Sequence, residues 1–237
     1  MIGIIEKILI DDIISEDPDV KVKSGHAYTY IDGRHVPSVT TILSRCIHEE
    51  YIVSWANYLG FKRLKSRDEL NKADVIGTLG HSAIEKFLKD GTEDANMCLQ
   101  SFRIWWDMLN ENHKVEIIGI EESMILPYCG GTYDLLLKID DRIFLADLKT
   151  SNHLSFKYFI QLAGYRHMLY KAKGINIDGC LILQLDKKEP RFTEQALDFF
   201  IKEHYNFIEH CAFTFMSLVL AYYNINSTEA WWKKMFD

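Results

Sequence analysis

Two carboxylates and one lysine stand out for their chemistry. Asp134 ends the run Gly130-Gly131-Thr132-Tyr133-Asp134, and thirteen residues further on begins Asp147-Leu148-Lys149-Thr150. Between the acids lie two apolar runs, Leu135 to Ile139 and Arg142 to Ala146, separated by Asp140-Asp141. Two such runs around a two-residue break read as a β-hairpin, although Asp-Asp is a weaker turn signal than Asn-Gly. With Ile139 paired to Arg142, Asp134 falls opposite Asp147. Like charges facing one another across a ladder repel, so a cation between them is the natural resolution. Side chains alternate along a strand, which puts Lys149 on the face of Asp147 and turns Leu148 into the core. Two acids and an ammonium at one spot read as a metal site with a positioned cationic group. The bland alternative is a solvated salt bridge on a surface hairpin.

Three further pieces follow in order. Val36-Pro37-Ser38-Val39-Thr40-Thr41-Ile42-Leu43 lies near the start, Gly77-Thr78-Leu79-Gly80-His81-Ser82-Ala83-Ile84-Glu85 precedes the hairpin, and Gln161-Leu162-Ala163-Gly164-Tyr165 follows it. His81 and Glu85, like Gln161 and Tyr165, stand four apart and share a helix face. Gly-x-x-Asp, a dozen residues, then Asp-x-Lys-Thr resembles the core of the PD-(D/E)XK nuclease superfamily. The match is closest to its RecB-like and phage-exonuclease branches, including the mitochondrial genome maintenance exonucleases with their "PSVT" opening. It spans roughly residues 35 to 190. The superfamily's usual proline before the first acid is replaced by Tyr133, as is common in the RecB-like branch.

The resemblance implies a metal-dependent DNA exonuclease of phage-type replication or recombination, acting on linear DNA, single-stranded or with free ends. Hydrolysing a phosphodiester requires an attacking water, neutralisation of charge on the phosphate and help for the leaving oxygen, and Mg²⁺ or Mn²⁺ held by carboxylates supplies all three. Such hard cations take oxygen ligands, and Mg²⁺ keeps several waters. Asp134 and Asp147 are the expected ligands, with the Leu148 carbonyl as a third. Lys149 would orient or deprotonate the water and stabilise negative charge. In the resembling branch the histidine at His81 faces the metal, and an imidazole beside carboxylates favours Mn²⁺ somewhat. Gln161 would stand near the scissile phosphate or its water, and Tyr165 would touch a backbone phosphate. For His81, Gln161 and Tyr165 the competing reading is packing in the core. Glu121 matches an acid of the branch, but Glu122 beside it points to the opposite face, so strand register decides between them. Ser38, Thr40 and Thr41 would donate to a phosphate at a helix N-terminus or simply cap the helix. A structure-specific endonuclease on the same core and a non-catalytic nucleic-acid-binding module are the alternative functions.

The elements that must position these groups follow from periodicity. Residues 1–24 are mixed and charged, with at most a short strand or helix. Tyr28 to Ile31, Asp32-Gly33 and Arg34 to Val36 predict a hairpin with a two-residue turn. Helices are expected from Ser38 to Cys46, Glu50 to Lys65, Ala83 to Leu88 (closed by Asp90-Gly91), Ala95 to Leu109 and Ser155 to Lys173. Strands are expected at Val115 to Met124 and Cys180 to Leu185, the latter parallel to the Asp147 strand across a right-handed crossover. Thr193 to Tyr223 predicts one long or broken helix. Asn226 to Phe236 predicts a short final helix with Asn226 and Glu229 as a capping box. The fold class is α/β: a restriction-endonuclease-like mixed sheet flanked by helices. The whole of 1–237 reads as one nuclease domain, with a mainly helical portion (1–75), a catalytic core (76–190) and C-terminal helices (191–237).

Composition bounds the rest. With 237 residues, 48% of them hydrophobic, the chain can bury a substantial interior. Five cysteines are scattered singly, which argues against zinc, disulfide and cysteine-ligated iron–sulfur frameworks and for a reducing cytoplasm, that of the host if phage-encoded. Glu6, Lys7, Asp11 and Asp12 interrupt the first apolar stretch, unlike a signal peptide. The longest apolar run, Cys211 to Tyr223, is too short to cross a bilayer, so no membrane partner is expected. The net charge of −7 opposes a nucleic-acid partner, since DNA binders usually present a basic face. Bound cations would reverse the field at the acids, and Lys62 to Arg67 and Lys187 to Arg191 are locally basic. Each basic run is equally readable as a solvated face.

Overall fold

The computed structural model describes residue 3, residues 27–31 and residues 33–236; the rest of segment 1–24 and the turn residue Asp32 lie outside the described residues. Strands β1 (Ala27–Thr29) and β2 (His35–Pro37) form the expected antiparallel hairpin. Its connection is longer than two residues. Tyr30 N–H donates to the Arg34 carbonyl at 2.8 Å and Gly33 N–H to the Tyr30 carbonyl at 2.9 Å. Gly33 sits at φ 88°, the left-handed position that lets a three-residue loop close and that glycine adopts without strain.

Helix α1 (Val39–Cys46) opens on Ser38, whose hydroxyl accepts from the Thr41 amide. Then come α2 (Glu50–Phe61), α3 (Ser66–Asp90) and α4 (Met97–Asn112). Helix α3 is much longer than expected and begins well before Ala83, so Gly77 and Gly80 lie inside it rather than at a glycine-rich start. A Cβ on Gly80 would come within 3.0 Å of the Cys98 Cβ on α4. That close approach between helices compensates the roughly 1 kcal/mol a mid-helix glycine costs.

A five-stranded mixed sheet follows: β3 (Val115–Leu126), β4 (Cys129–Ile139), β5 (Arg142–Lys149), β6 (Gly179–Leu185) and β7 (Phe192–Asp198), adjacent in that order. Ile139 pairs with Arg142 as the hairpin reading requires, with Asp140 at φ 55° in the turn. Helix α5 (Lys157–Lys173) carries the crossover, and β5 and β6 are parallel. Helix α6 (Lys202–Phe236) ends the described chain.

Two expectations at the C-terminal end are overturned. Residues 192–198 are not the start of a helix but strand β7, paired along its whole length with β6. Glu194, Gln195, Ala196 and Leu197 are good helix formers, but the open edge of β6 offers a ladder of backbone partners, and such tertiary pairing overrides local propensity. The short helix at Asn226 does not exist as a separate element either, because α6 runs unbroken through it for 35 residues. Glu229 pairs with Arg45 on α1 at 3.1 Å instead of capping.

The sheet is covered on both faces. Leu136, Leu145 and Ile182 pack with residues of α1, α5 and α6, among them Ile42, Leu162, Met168, Phe215 and Val219. On the other face Leu135, Leu137, Ala146, Leu148 and Leu183 pack with Ile84 of α3 and with Leu99, Phe102 and Trp105 of α4. Alternation along β4 and β5 therefore feeds two cores. The fold is a mixed α/β sheet flanked by helices.

Candidate active site

The β4–β5 ladder runs from Ile139↔Arg142 only as far as Leu135↔Ala146. One residue beyond, the two acids no longer pair as a backbone register. Asp134 instead uses its side chain: Oδ2 accepts the Leu148 amide at 2.6 Å. The strands part here, and groups from both faces of the sheet reach the gap. Helix α3 brings His81, and α5 brings Tyr158, Gln161 and Tyr165.

On the β3–β4 side, His81 Nδ1 lies 3.3 Å from Glu121 Oε1 and 3.6 Å from Asp134 Oδ1. Ligand atoms of His81, Glu121 and Asp134 all fall within 4.8 Å of one another. Glu121 is held at φ 50° inside β3, the one non-glycine residue with positive φ inside a strand among the described residues. That conformation costs on the order of 1 kcal/mol or more for a side chain with a Cβ, and such strain gathers at functional sites. Glu122 faces elsewhere, bonded by Tyr133 Oη at 2.8 Å and by the Lys173 ammonium. Register and strain together settle which of the two glutamates meets Asp134: it is Glu121.

On the β5–α5 side, Asp147 is 1% exposed. Its Oδ1 accepts from Gln161 Nε2 at 3.1 Å, and its Oδ2 lies 2.7 Å from Lys149 Nζ. That close approach makes a buried ion pair. The ammonium donates to Gln161 Oε1 at 3.3 Å and sits 4.7 Å from the centre of the Tyr158 ring. Gln161 thus bridges acid and lysine, and it also donates to Tyr165 Oη at 3.1 Å.

The charges are strongly coupled. Burial raises both carboxyls, Asp147 to about 6, against the pull of Lys149 and, at Asp134, of His81. Burial works against the His81 imidazolium, yet Asp134 and Glu121 outweigh it and push the group up to about 9. Burial likewise opposes the Lys149 charge, and Asp147 and Asp134 overcome it, so the pKa rises. The neighbouring carboxylates thus favour the ammonium form of Lys149.

The remaining expected residues divide. Tyr165 is buried with its hydroxyl engaged by Gln161, which makes it a support for Gln161 more than a surface open to phosphate. Glu85 pairs with Lys89 at 2.7 Å on the surface of α3. Ser38 is buried, caps α1 and bonds the hydroxyls of Thr40 and Thr41, while Thr40 is exposed. Leu148 presents its amide to Asp134 and its side chain to the core. Sequence reasoning missed Tyr158. Its signal was present, since it precedes Gln161 by three positions and so shares its helix face.

The donor set fits a divalent cation: two carboxylates and an imidazole converge, and hard oxygens predominate. No family model matches the chain, and no curated protein matches it. Among solved structures it is similar to the protein SSO0001, at 16% identity over 91% of this chain and 87% of that one, with a TM-score of 0.37. It is also similar to a phage-related exonuclease from Haemophilus somnus 129PT (14% identity, 63% of this chain and 82% of that one, TM-score 0.32). An alkaline exonuclease from Laribacter hongkongensis matches at 13% identity over 63% and 82%, with a TM-score of 0.29. Similarities this distant assign no family. No helix among the described residues is long and apolar enough to cross a membrane.

Proposed function

We propose that the chain is a divalent-metal-dependent nuclease that hydrolyses DNA phosphodiester bonds, with exonuclease action preferred. The observation that carries this reading is the convergence of His81, Glu121 and Asp134 within 4.8 Å beside the Asp147–Lys149–Gln161 set. His81, Glu121, Asp134 and Asp147, with the Leu148 carbonyl, would hold Mg²⁺ or Mn²⁺. When bound, the cation supplies Lewis acidity toward the phosphoryl oxygens.

The protein's own groups do the rest. Lys149 donates toward the phosphate and stabilises the charge that builds there. Gln161, held by Tyr165 and already bonded to both Asp147 and Lys149, orients the attacking water. Tyr158 turns its ring face toward the same ammonium and helps to hold it in place. Thr40, exposed at the start of α1, is available to a phosphate of the same strand. Residues 1–237 act as one nuclease domain with 76–190 as its catalytic core.

The test is digestion of a 5′-labelled single strand, a duplex and a closed single-stranded circle with Mg²⁺, Mn²⁺ or EDTA, beside Asp147→Ala. Metal-dependent loss of the linear DNA with the circle spared, and no loss with the variant, is the expected result. Cleavage of the circle would establish an endonuclease. No cleavage with any metal by folded protein would overturn the reading in favour of a binding module.

A further inference from the structure

Beyond Lys149 the ends of β5, β6 and β7 border an open polar groove of about 390 Å³, lined by Thr150, Asn152, Lys187, Lys188, Arg191 and Thr193 among others. It adjoins the site directly. Lys149 pairs with Gln184 on β6, and Gln184 Nε2 donates to the Ser151 carbonyl at 2.6 Å. The groove thus opens one residue past Lys149.

The turn that carries the lysines is rigidly built. The Asp186 carboxylate accepts from the Lys188 amide at 2.8 Å, the Glu189 amide at 3.2 Å and Arg191 Nε at 2.6 Å. From α4, the fully buried Ser101 hydroxyl lies 2.9 Å from the Asp186 carbonyl and accepts from the Arg191 amide at 3.1 Å. Arg191 is committed to this scaffold. The ammonium groups of Lys187 and Lys188 are not: among the described residues neither has a hydrogen bond or ion pair. With Asp186 and Glu189 paired to Arg191, the Lys187 and Lys188 ammonium groups are the cations of this turn left to meet an anion, in a chain of net charge −7. Ordering costs at binding are small for such a turn.

We propose that this groove binds the sugar–phosphate backbone of the DNA strand next to the cleaved bond, with Lys187 and Lys188 each neutralising one phosphate. The proposal rests on the nuclease reading above. Its test is a fluorescence-anisotropy titration of a 5′-labelled 20-nucleotide single strand against Asp147→Asn protein in Mg²⁺ across a NaCl series. The parent is compared with Lys187→Gln/Lys188→Gln and with Lys138→Gln as a surface control, and thermal melts confirm folding. The same titration on otherwise wild-type protein in EDTA removes dependence on Asp147→Asn. The double variant is expected to bind at least about tenfold more weakly, and its salt slope to fall by about 1.4, or 0.7 for each phosphate released on a single strand. Lys138→Gln should match the parent. A double variant with the parent's Kd and slope would overturn the groove while leaving the nuclease intact. A wild-type chain that neither binds nor cleaves DNA would overturn the nuclease reading, and the groove with it.

Discussion

Lys149 Nζ and Asp147 Oδ2 stand 2.7 Å apart, two residues along one strand, as a buried ion pair. The same ammonium also donates to Gln161 Oε1 and faces the Tyr158 ring. One cation is thus shared among an acid, an amide and a ring, which fixes its position at the site.

Lys149→Ala should therefore remove the donor without collapsing the sheet. Cleavage is expected to fall at least about 100-fold. The buried Asp147 carboxyl, stripped of its cation, should cost about 3–5 kcal/mol of stability, read as a lowered Tm with an unchanged circular dichroism spectrum. Turnover at the wild-type rate would refute the mechanism.

Glu121 and Glu122 are neighbours with different duties. Glu121→Gln should weaken Mn²⁺ binding by about tenfold or more, the scale seen when groups at a metal site are altered. Glu122→Gln loses its surface ion pair with Lys173 while its amide oxygen can still accept from Tyr133 Oη, which should leave Mn²⁺ affinity within twofold and stability within about 1 kcal/mol. Isothermal titration calorimetry distinguishes them, and the reverse ranking would show that the strand register has been misread.

Two glycines should respond with opposite signs. A Cβ on Gly131 would lie 2.5 Å from Cε1 of the buried Tyr165 ring, so Gly131→Ala must displace that ring and with it the support of Gln161. A loss of about 1–3 kcal/mol with reduced cleavage is expected. Gly60, on the last turn of α2, has no atom within 4 Å of its added Cβ, and Gly60→Ala should raise stability by up to about 1 kcal/mol. Urea denaturation of both variants checks the pair.

Asp186 sets a limit at low pH. The Lys188 amide above all, then Arg191 and the Glu189 amide, pull its carboxyl down to about 2 from an ordinary 3.8. A depressed acid stabilises the folded turn fully above its unfolded pKa, and that stabilisation fades as pH falls from about 4 through 2. A ¹³C carboxyl titration by NMR should place the midpoint well below 3.8. A midpoint at or above that value would show that the turn is not held as described.

The hairpin and its acids were legible in the sequence because they depend on local, period-two information. The apolar runs on either side of Asp140-Asp141 determine the register Ile139↔Arg142, and the register carries Asp134 and Asp147 to the same end of the sheet. The crossover from β5 to β6 and the Ser38 cap were legible for the same reason, since each is specified by residues a few positions apart. What local pattern misjudged was decided at long range. The segment Phe192 to Asp198 has helix-forming residues, but the unpaired edge of β6 makes it a strand. Helix α3 extends back to Ser66, and its glycines serve contact with Cys98, a partner no spacing rule reveals. Local pattern left Glu121 and Glu122 open, and the β3–β4 register together with the left-handed backbone at Glu121 decided between them. The sequence by itself determined which groups could do chemistry and the strands that bear them. Only the tertiary structure decided which of them meet, because His81 and Gln161 arrive from opposite faces of the sheet, through a gap that exists only where β4 and β5 part.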